Sequence, residues 1–338
     1  MIKIVGDCNF ADGYFDLGFG TGTELSKGMN PFEGLRISSN DYWIGNFECV
    51  VAGESENTGI KGRYFRIQPE YLGHFKHLNL YGVANNHVMQ HGDKAYCEML
   101  HVIEGLGADY VGSDMKRSYV FKHQGRSVGV IAFSQRPDNF TRHPLYWSMP
   151  EYSEIKKEID SLHDVDFKIA FIHWGIEFID HPYIDQIQFA HYLVDCGIDF
   201  VVGMHPHVLQ GVEEYKGKTI AYSLGNCLFN MAWEPTRYSV IANVDFESSQ
   251  LISFQYMEIT RNTYFPNVID SIPSKYAITS LSAKIGKFIE NELYFNEVFR
   301  MTSLYRKENR KKFIKNFHHL GIKESMQMIR EFVQRKFK

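Results

Sequence analysis

Residues 201–211, VVGMHPHVLQG, carry the chain from a β-branched run into two histidines separated by one proline. Side chains at i and i+2 of an extended segment point to the same side. Pro206 removes a backbone donor and disfavours helix for the residue before it. The spacing therefore predicts that the imidazoles of His205 and His207 project together from a strand end, an arrangement suited to a metal or an anionic substrate. Whether this is a site or a surface turn depends on what the other strands bring to the same edge.

Up to Asn230 the sequence alternates short apolar runs with amphipathic helical stretches. The runs predict strands at 2–6, 41–46, 78–84, 127–134, 167–173, 199–204 and 219–224. Between them the pattern predicts helices over Pro69–His77, Asp93–Leu106, Glu151–His163 and Asp185–Cys196. Strands separated by helices indicate an α/β fold with a substantial parallel component. SVIANVDF and LISFQYMEI read as an antiparallel pair joined through Glu247–Gln250. Beyond Pro266 the pattern turns helical, with Ile322, Met326, Ile329 and Val333 at helical spacing and Lys and Arg on the other side. The expected division is residues 1–265 as the α/β domain and 266–338 as a basic helical extension. The Gly-rich DLGFGTGTE (16–24) lacks the strand–GxGxxG–helix context of a nucleotide fingerprint and reads as a mobile loop near the site.

With 338 residues, 44% hydrophobic and 15% aromatic, the chain can bury a large core. No apolar run approaches the roughly 18 residues of a membrane span, and the first residues lack signal-peptide features. The expected location is the cytoplasm, with a peripheral membrane association open to the tail. Five cysteines without CxxC spacing point to reduced thiols. The formal net charge of −4 is unevenly spread, since residues 301–338 hold 11 Lys/Arg against 3 Asp/Glu. That basic, aromatic tail suits an anionic membrane surface or a membrane-bound partner, or a helical cap whose apolar side covers the sheet domain. The acidic remainder argues against nucleic acid as a partner.

In open α/β sheets function collects at the carboxyl ends of strands. Those ends carry Asp7, then Asn46 and Glu48, then Asn86 and His87, then His173, then His205 and His207, and finally Asn226. Oxygen and imidazole donors gathered on one edge are what a pair of Mn, Fe or Zn ions takes. The strand-end reading thus expects two divalent metal ions. Structural alternatives stand beside it: Asp7 as a turn former, Asn86–His87 as a hydrogen-bond knot, Tyr222, Ser223 and Asn226 as closure of the core. Cys227 is assigned to packing.

The order GD…NxE…ANNH…HWGxE…GxHPHVLQ…YSLGN, from about Ile2 to Asn230, resembles the CapA proteins of poly-γ-glutamate capsule synthesis, which are similar to calcineurin-like metallophosphoesterases. HWGIEFIDHPYIDQ and GMHPHVLQGVEEYKGKTIAYSLGN carry the resemblance in spacing as well as in residues. It implies a four-layer α/β/β/α sandwich. It also implies that Asp7 and His207 hold a first metal, that Glu48 bridges, and that Asn86, His173 and His205 hold a second. His87 would be the general acid. Such a centre would make the chain a metal-dependent hydrolase in capsule or surface-polymer biosynthesis, acting on a phosphoester or on an amide or ester of an anionic polymer. The alternative is a non-catalytic component that binds polymer or partner enzymes. Asn9, Asn46, Arg66, Glu177, Gln186 and Asn226 are assigned to substrate contact or to support of the ligands. Lys61, Arg63 and Arg66 supply cations for an anionic substrate. Two positions depart from the pattern: Asn9 stands where related phosphoesterases carry His, and Gln90 stands where CapA-like chains often carry an acid.

Overall fold

The computed structural model describes residues 1–12, 19–231, 233–288, 290–319 and 321–336. In chain order the strands are β1 (Ile2–Cys8), β2 (Tyr42–Phe47), β3 (Val50–Val51), β4 (Arg66–Ile67), β5 (Leu80–Gly82), β6 (Asp109–Val111), β7 (Ser118–His123) and β8 (Arg126–Ser134). They continue with β9 (Phe167–His173), β10 (Phe200–Met204), β11 (Val212–Tyr215), β12 (Lys218–Ala221), β13 (Asn226–Leu228), β14 (Tyr238–Val244), β15 (Ile252–Ile259) and β16 (Pro266–Val268). The helices are α1 (Thr21–Ser26), α2 (Asp93–Gly105), α3 (Tyr152–Ser161), α4 (Ile184–Asp195), α5 (Ile278–Ser282), α6 (Asn291–Asn316) and α7 (Ile322–Lys336).

One sheet runs β16-β15-β14-β1-β2-β5-β6, with β13 beside β1, and the other runs β11-β12-β10-β9-β8-β7. The first sheet is antiparallel from β16 to β1 and parallel from β1 to β6, whereas the second is parallel at its centre and antiparallel at both margins. Ile4, Ile44 and Leu80 of the first sheet pack on Val130, Phe171 and Val202 of the second. Tyr96, Met99 and Ile103 of α2 cover the outer face of the first. Ile155 of α3 and Leu193 of α4 cover that of the second. These layers form the expected α/β/β/α sandwich.

Parallel register aligns the carboxyl ends that matter. Asp7 pairs with Asn46 across β1 and β2, and with Asn226, which opens β13 instead of closing the strand before it. His173 is flanked by Ser134 of β8 and Met204 of β10. Gly6 makes the approach of β13 possible, because a Cβ there would lie 1.8 Å from the Gly225 carbonyl oxygen.

Four local expectations give way to packing. The helix expected over Pro69–His77 is only a short 3-10 turn at Pro69–Tyr71. The His77 ring sits 2.7 Å from the Leu72 carbonyl oxygen and ends it. The strand at 219–224 stops at Ala221, since Tyr222 N–H turns to the Gly211 carbonyl. Of the Gly-rich stretch, Thr21–Ser26 is a helix tied to Asp12 through Thr23, while 13–18 lie outside the described residues. The segment after Pro266 begins as a strand paired with β15 before any helix appears.

The extension packs in an order the periodicity did not indicate. Tyr305 of α6 stacks on Phe178 with ring centroids 3.8 Å apart. Lys312 donates to the Asn230 carbonyl at 3.0 Å and also to its carboxamide oxygen. From α7, Met328 joins Phe65, Phe178 and Phe229 in one aromatic cluster. Of the two readings of the tail, the cap is not made by the periodic stripe: Ile322, Met326 and Ile329 are 83%, 68% and 54% exposed. The side chain of Val333 lies outside the described residues. No described helix is long and apolar enough to cross a membrane.

Candidate metal centre

The strand ends deliver Asp7, Glu48, Asn86, His173, His205 and His207 to one place, none more than 3% exposed. Two groups of three have donor atoms within 4.8 Å of one another among the described residues: Asp7–Glu48–His173 and Glu48–His205–His207. Glu48 belongs to both, in keeping with a bridging carboxylate. The partition of the histidines differs from the one implied by resemblance, which sets His207 beside Asp7. His207 Nδ1 is nonetheless 3.4 Å from Asp7 Oδ2.

Local backbone explains how His205 and His207 converge, and it is not strand alternation. Both have positive φ, 94° and 59°, so the segment kinks on either side of Pro206 instead of running extended. The rings still face each other, with centroids 6.0 Å apart. A non-glycine residue held this way costs about 1–3 kcal/mol, a strain that surrounding structure must sustain. The His205 N–H donates to Asp7 Oδ2 at 3.2 Å and anchors the kink to β1.

Amides orient the rings. His207 Nδ1 lies 3.0 Å from Asn226 Oδ1, which leaves Nε2 to face Glu48 Oε1 at 3.6 Å. Asn46 Nδ2 donates to Asp7 Oδ1 at 2.8 Å and lies 3.3 Å from His173 Nδ1. His173 Nε2 is 2.8 Å from Asn86 Oδ1. Asn85, quoted in the sequence motif but given no role there, holds Asn46 Oδ1 at 3.3 Å. Such supporting partners fix tautomer and ring orientation.

Burial alone would raise the Asp7 carboxyl, but the hydrogen bond and charge of His207 hold it below the ordinary carboxylate range. The same bond keeps His207 above its ordinary value against the effect of burial. Glu48 has no such partner: burial, then the charge of Asp7, push it well above its ordinary value. Burial drives His205 well down, His173 to about 3 and His87 to about 4. Both Glu48 oxygens and both His205 ring nitrogens are buried without a hydrogen-bond partner. Orphaned buried donors of this kind are costly unless something pairs with them. A cation satisfies carboxylate and neutral imidazole together, so the residues fit divalent metal ions.

His87 stacks on Phe65, with centroids 4.1 Å apart and planes at 4°. Its Nε2 points toward Glu48 Oε1 at 4.0 Å, and its Nδ1 is 3.5 Å from Gln90 Oε1. Gln90 thus occupies the orienting position with a carbonyl in place of a charge. The remaining assignments fare differently. Glu177 is half-buried and its charge acts on both Glu48 and His207. Gln186 lies against Gly175 with both amide atoms unpartnered. Asn9 spends its Oδ1 on the Ala11 N–H at 2.9 Å, in a turn, and leaves its Nδ2 unpartnered. Arg66 donates to the carbonyls of Gly62, Ala52 and Gly53, so its guanidinium braces the backbone. Arg63 and Arg66 also line a cavity of about 380 Å³ with Thr23, Ser26 and Gln68.

The aromatic rim was not anticipated. Phe229 stands edge-on to His207 at 4.7 Å, Phe178 lies 6.2 Å away on another side, and Phe140 lies 6.3 Å from His87. Scattered phenylalanines carry no periodic signal, which is why sequence reading passes them over.

A chain 29% identical over 266 residues, PGA biosynthesis protein CapA of Bacillus subtilis, matches 72% of this chain, which covers 68% of it. A probable polyglutamine synthesis accessory protein of Mycobacterium tuberculosis is 25% identical over 57% of this chain, which spans just over half (56%) of that relative. Among solved structures, a 5′-nucleotidase from Candida albicans aligns at 16% identity and a TM-score of 0.47, covering 91% of this chain and 57% of its own. The family model described as bacterial capsule synthesis protein PGA_cap matches residues 2–231. That span takes in every candidate ligand from Asp7 to His207, and the chain belongs to the PGA_cap family of bacterial capsule synthesis proteins.

Proposed function

We propose that this protein is a metal-dependent hydrolase of capsule or surface-polymer synthesis, with a phosphoester, or an amide or ester of an anionic polymer, as its substrate. The observation that carries the reading is the shared Glu48, a buried carboxylate without a hydrogen-bond partner common to two three-residue donor groups. Asp7, Glu48, Asn86, His173, His205 and His207 would hold two cations of the Mn, Fe or Zn kind. Such a pair supplies an activated water and positive charge for a developing oxyanion. The chain's own residues do the rest. Asn226 and Asn46 hold imidazole orientation, the phenylalanine rim excludes bulk water, and His87 sits where it can pass a proton to a leaving oxygen.

The test is turnover of a panel of phosphodiesters and phosphomonoesters with added Mn²⁺. Asp7→Ala and His207→Ala should each lower kcat/KM by at least about 100-fold, since loss of even an outer-shell partner costs 10–100-fold. A second reading, a non-catalytic component that binds polymer or partner enzymes, draws support from the burial of all six ligands and from the accessory role in the mycobacterial relatives' names. A metal-loaded protein that turns over no member of the panel favours it.

We also propose a site of action on the basis of the tail. Ile322, Met326 and Ile329 are exposed on one side of α7, with Lys323 and Arg330 on its flank. We assign this face to an anionic membrane surface, which would make the protein cytoplasmic and peripheral. Replacing the three by Ser should weaken sedimentation with anionic-lipid vesicles at least about tenfold, given 1.5–3 kcal/mol per buried aliphatic side chain. Equal sedimentation of variant and wild type would remove the assignment.

A further inference from the structure

We propose that Arg136 is the residue that binds the substrate's anionic oxygens beside the metal centre, a role resting on the hydrolase reading above. The loop after β8 places it there. Ser134, the last residue of β8, pairs with His173 across the sheet, and Gln135 N–H donates to the His173 carbonyl at 2.9 Å. The Ser134 hydroxyl then grips Arg136 on both sides, accepting from its N–H at 3.0 Å and donating to its carbonyl at 2.8 Å. Pro137 follows and keeps the backbone out of helix. The base of the arginine is thereby fixed two residues past the end of β8, beside the end of β9 that carries His173.

Farther along, the same loop reaches the other half of the centre. Phe140 lies 6.3 Å from His87, so the segment 136–140 passes over the site from the His173–His205 side to the His87 side. The Arg136 charge is felt at His173, at His205 and at Tyr294 of α6, which brackets its guanidinium between the ligands and the extension.

What singles Arg136 out is the lack of a partner. It is half-buried, yet no carboxylate among the described residues lies within 4.0 Å of its guanidinium, and none of its side-chain nitrogens has a hydrogen-bond acceptor there. Arg66, the sequence-based choice, is committed to three carbonyls. A guanidinium presents a planar fork of donors that matches a phosphoryl or carboxylate group in two-point contact. With cations bound at the carboxylates, one anionic group could touch metal and fork together. The fitting ligand is a compact oxyanion: a phosphate ester, or the carboxylate of an acidic polymer unit.

The experiment uses the full chain loaded with Mn²⁺ and titrates inorganic phosphate in one arm and a short γ-linked glutamate oligomer in the other. Wild type, Arg136→Ala and Arg136→Lys are compared by calorimetry, with metal content and Tm measured on each. Arg136→Ala should weaken binding of the preferred anion by about 10- to 100-fold at unchanged metal content and Tm. Arg136→Lys should recover part of the loss, since it keeps the charge and gives up the fork. The arm with the larger loss identifies the oxyanion source. Equal affinity of wild type and Arg136→Ala at full metal loading overturns the role of Arg136 alone, as does a metal-loaded wild type that binds neither anion. A wild type that takes up no manganese overturns the metal-centre reading and this inference with it.

Discussion

Glu48→Gln is expected to abolish loading of the metal pair and to lower any hydrolytic rate by at least about 100-fold, beyond the 10–100-fold that loss of an outer-shell partner costs. The carboxylate belongs to both donor groups, and a neutral amide can neither bridge two cations nor balance their charge. The stability readout is equally direct. A ligand present at 100 times its dissociation constant adds about 2.7 kcal/mol per site, or roughly 4 °C of Tm per site for a chain of 338 residues. Wild type should gain that on addition of Mn²⁺ and lose it to a chelator, and the variant should respond to neither. In metal-free protein the order reverses with pH. Burial and the Asp7 charge hold the folded Glu48 carboxyl above its ordinary value of 4.5, so the folded state keeps a proton that the unfolded chain has released. Stability therefore falls as pH rises from 4.5 toward the folded value, and Glu48→Gln, which has no proton to lose, should show a flatter profile. Full metal occupancy in the variant, by elemental analysis, would contradict the bridging role.

His87→Gln should leave both metals in place and reduce kcat by about 10²–10⁴ on substrates with alkyl leaving groups, the usual contribution of a general acid. A nitrophenolate departs without a proton, so nitrophenyl esters should lose far less. The contrast matters because burial holds the ring down to about 4 and thus neutral in the ligand-free protein. An anionic substrate drawn against the ring favours its charged form, so the ring takes up a proton from solvent as the reactant binds. Gln90 faces Nδ1 with a carbonyl at 3.5 Å. Gln90→Glu should consequently lift the ring's pKa and move the alkaline limb of the rate profile to higher pH. Equal losses on both leaving groups would make His87 a structural residue.

The fold was legible because parallel strands leave a strong signal: contiguous apolar runs such as 127–134 and 167–173, each ending in a polar residue at the same edge. That rule also collects all six ligand candidates, since a buried acid or amide at a strand end has few other uses. It reaches Arg136 as well when applied to the end of β8, where Gln135 and Arg136 follow Ser134. What could not be read lies in tertiary packing. The kinks at His205 and His207 have no residue signature, as neither is glycine. The apolar stripe of α7 has the period of a buried face but points to solvent, while Met328, off the stripe, is the residue taken into the core. Periodicity reports that a helix has two faces and is silent on which one meets its neighbours.

The stacking of Tyr305 on Phe178 bears on how knowledge can pass between relatives. The family match ends at residue 231, whereas Met301, Tyr305 and Met328 complete the aromatic cluster above the ligands from beyond it. The family model thus spans all six ligand candidates, while part of the aromatic cluster beside them comes from α6 and α7, outside the matched residues. Substrate size preferences measured on a relative with a different C-terminal segment cannot be carried over. Truncating the tail to ask whether it anchors the protein would at the same time uncover Phe178 and the rest of that cluster.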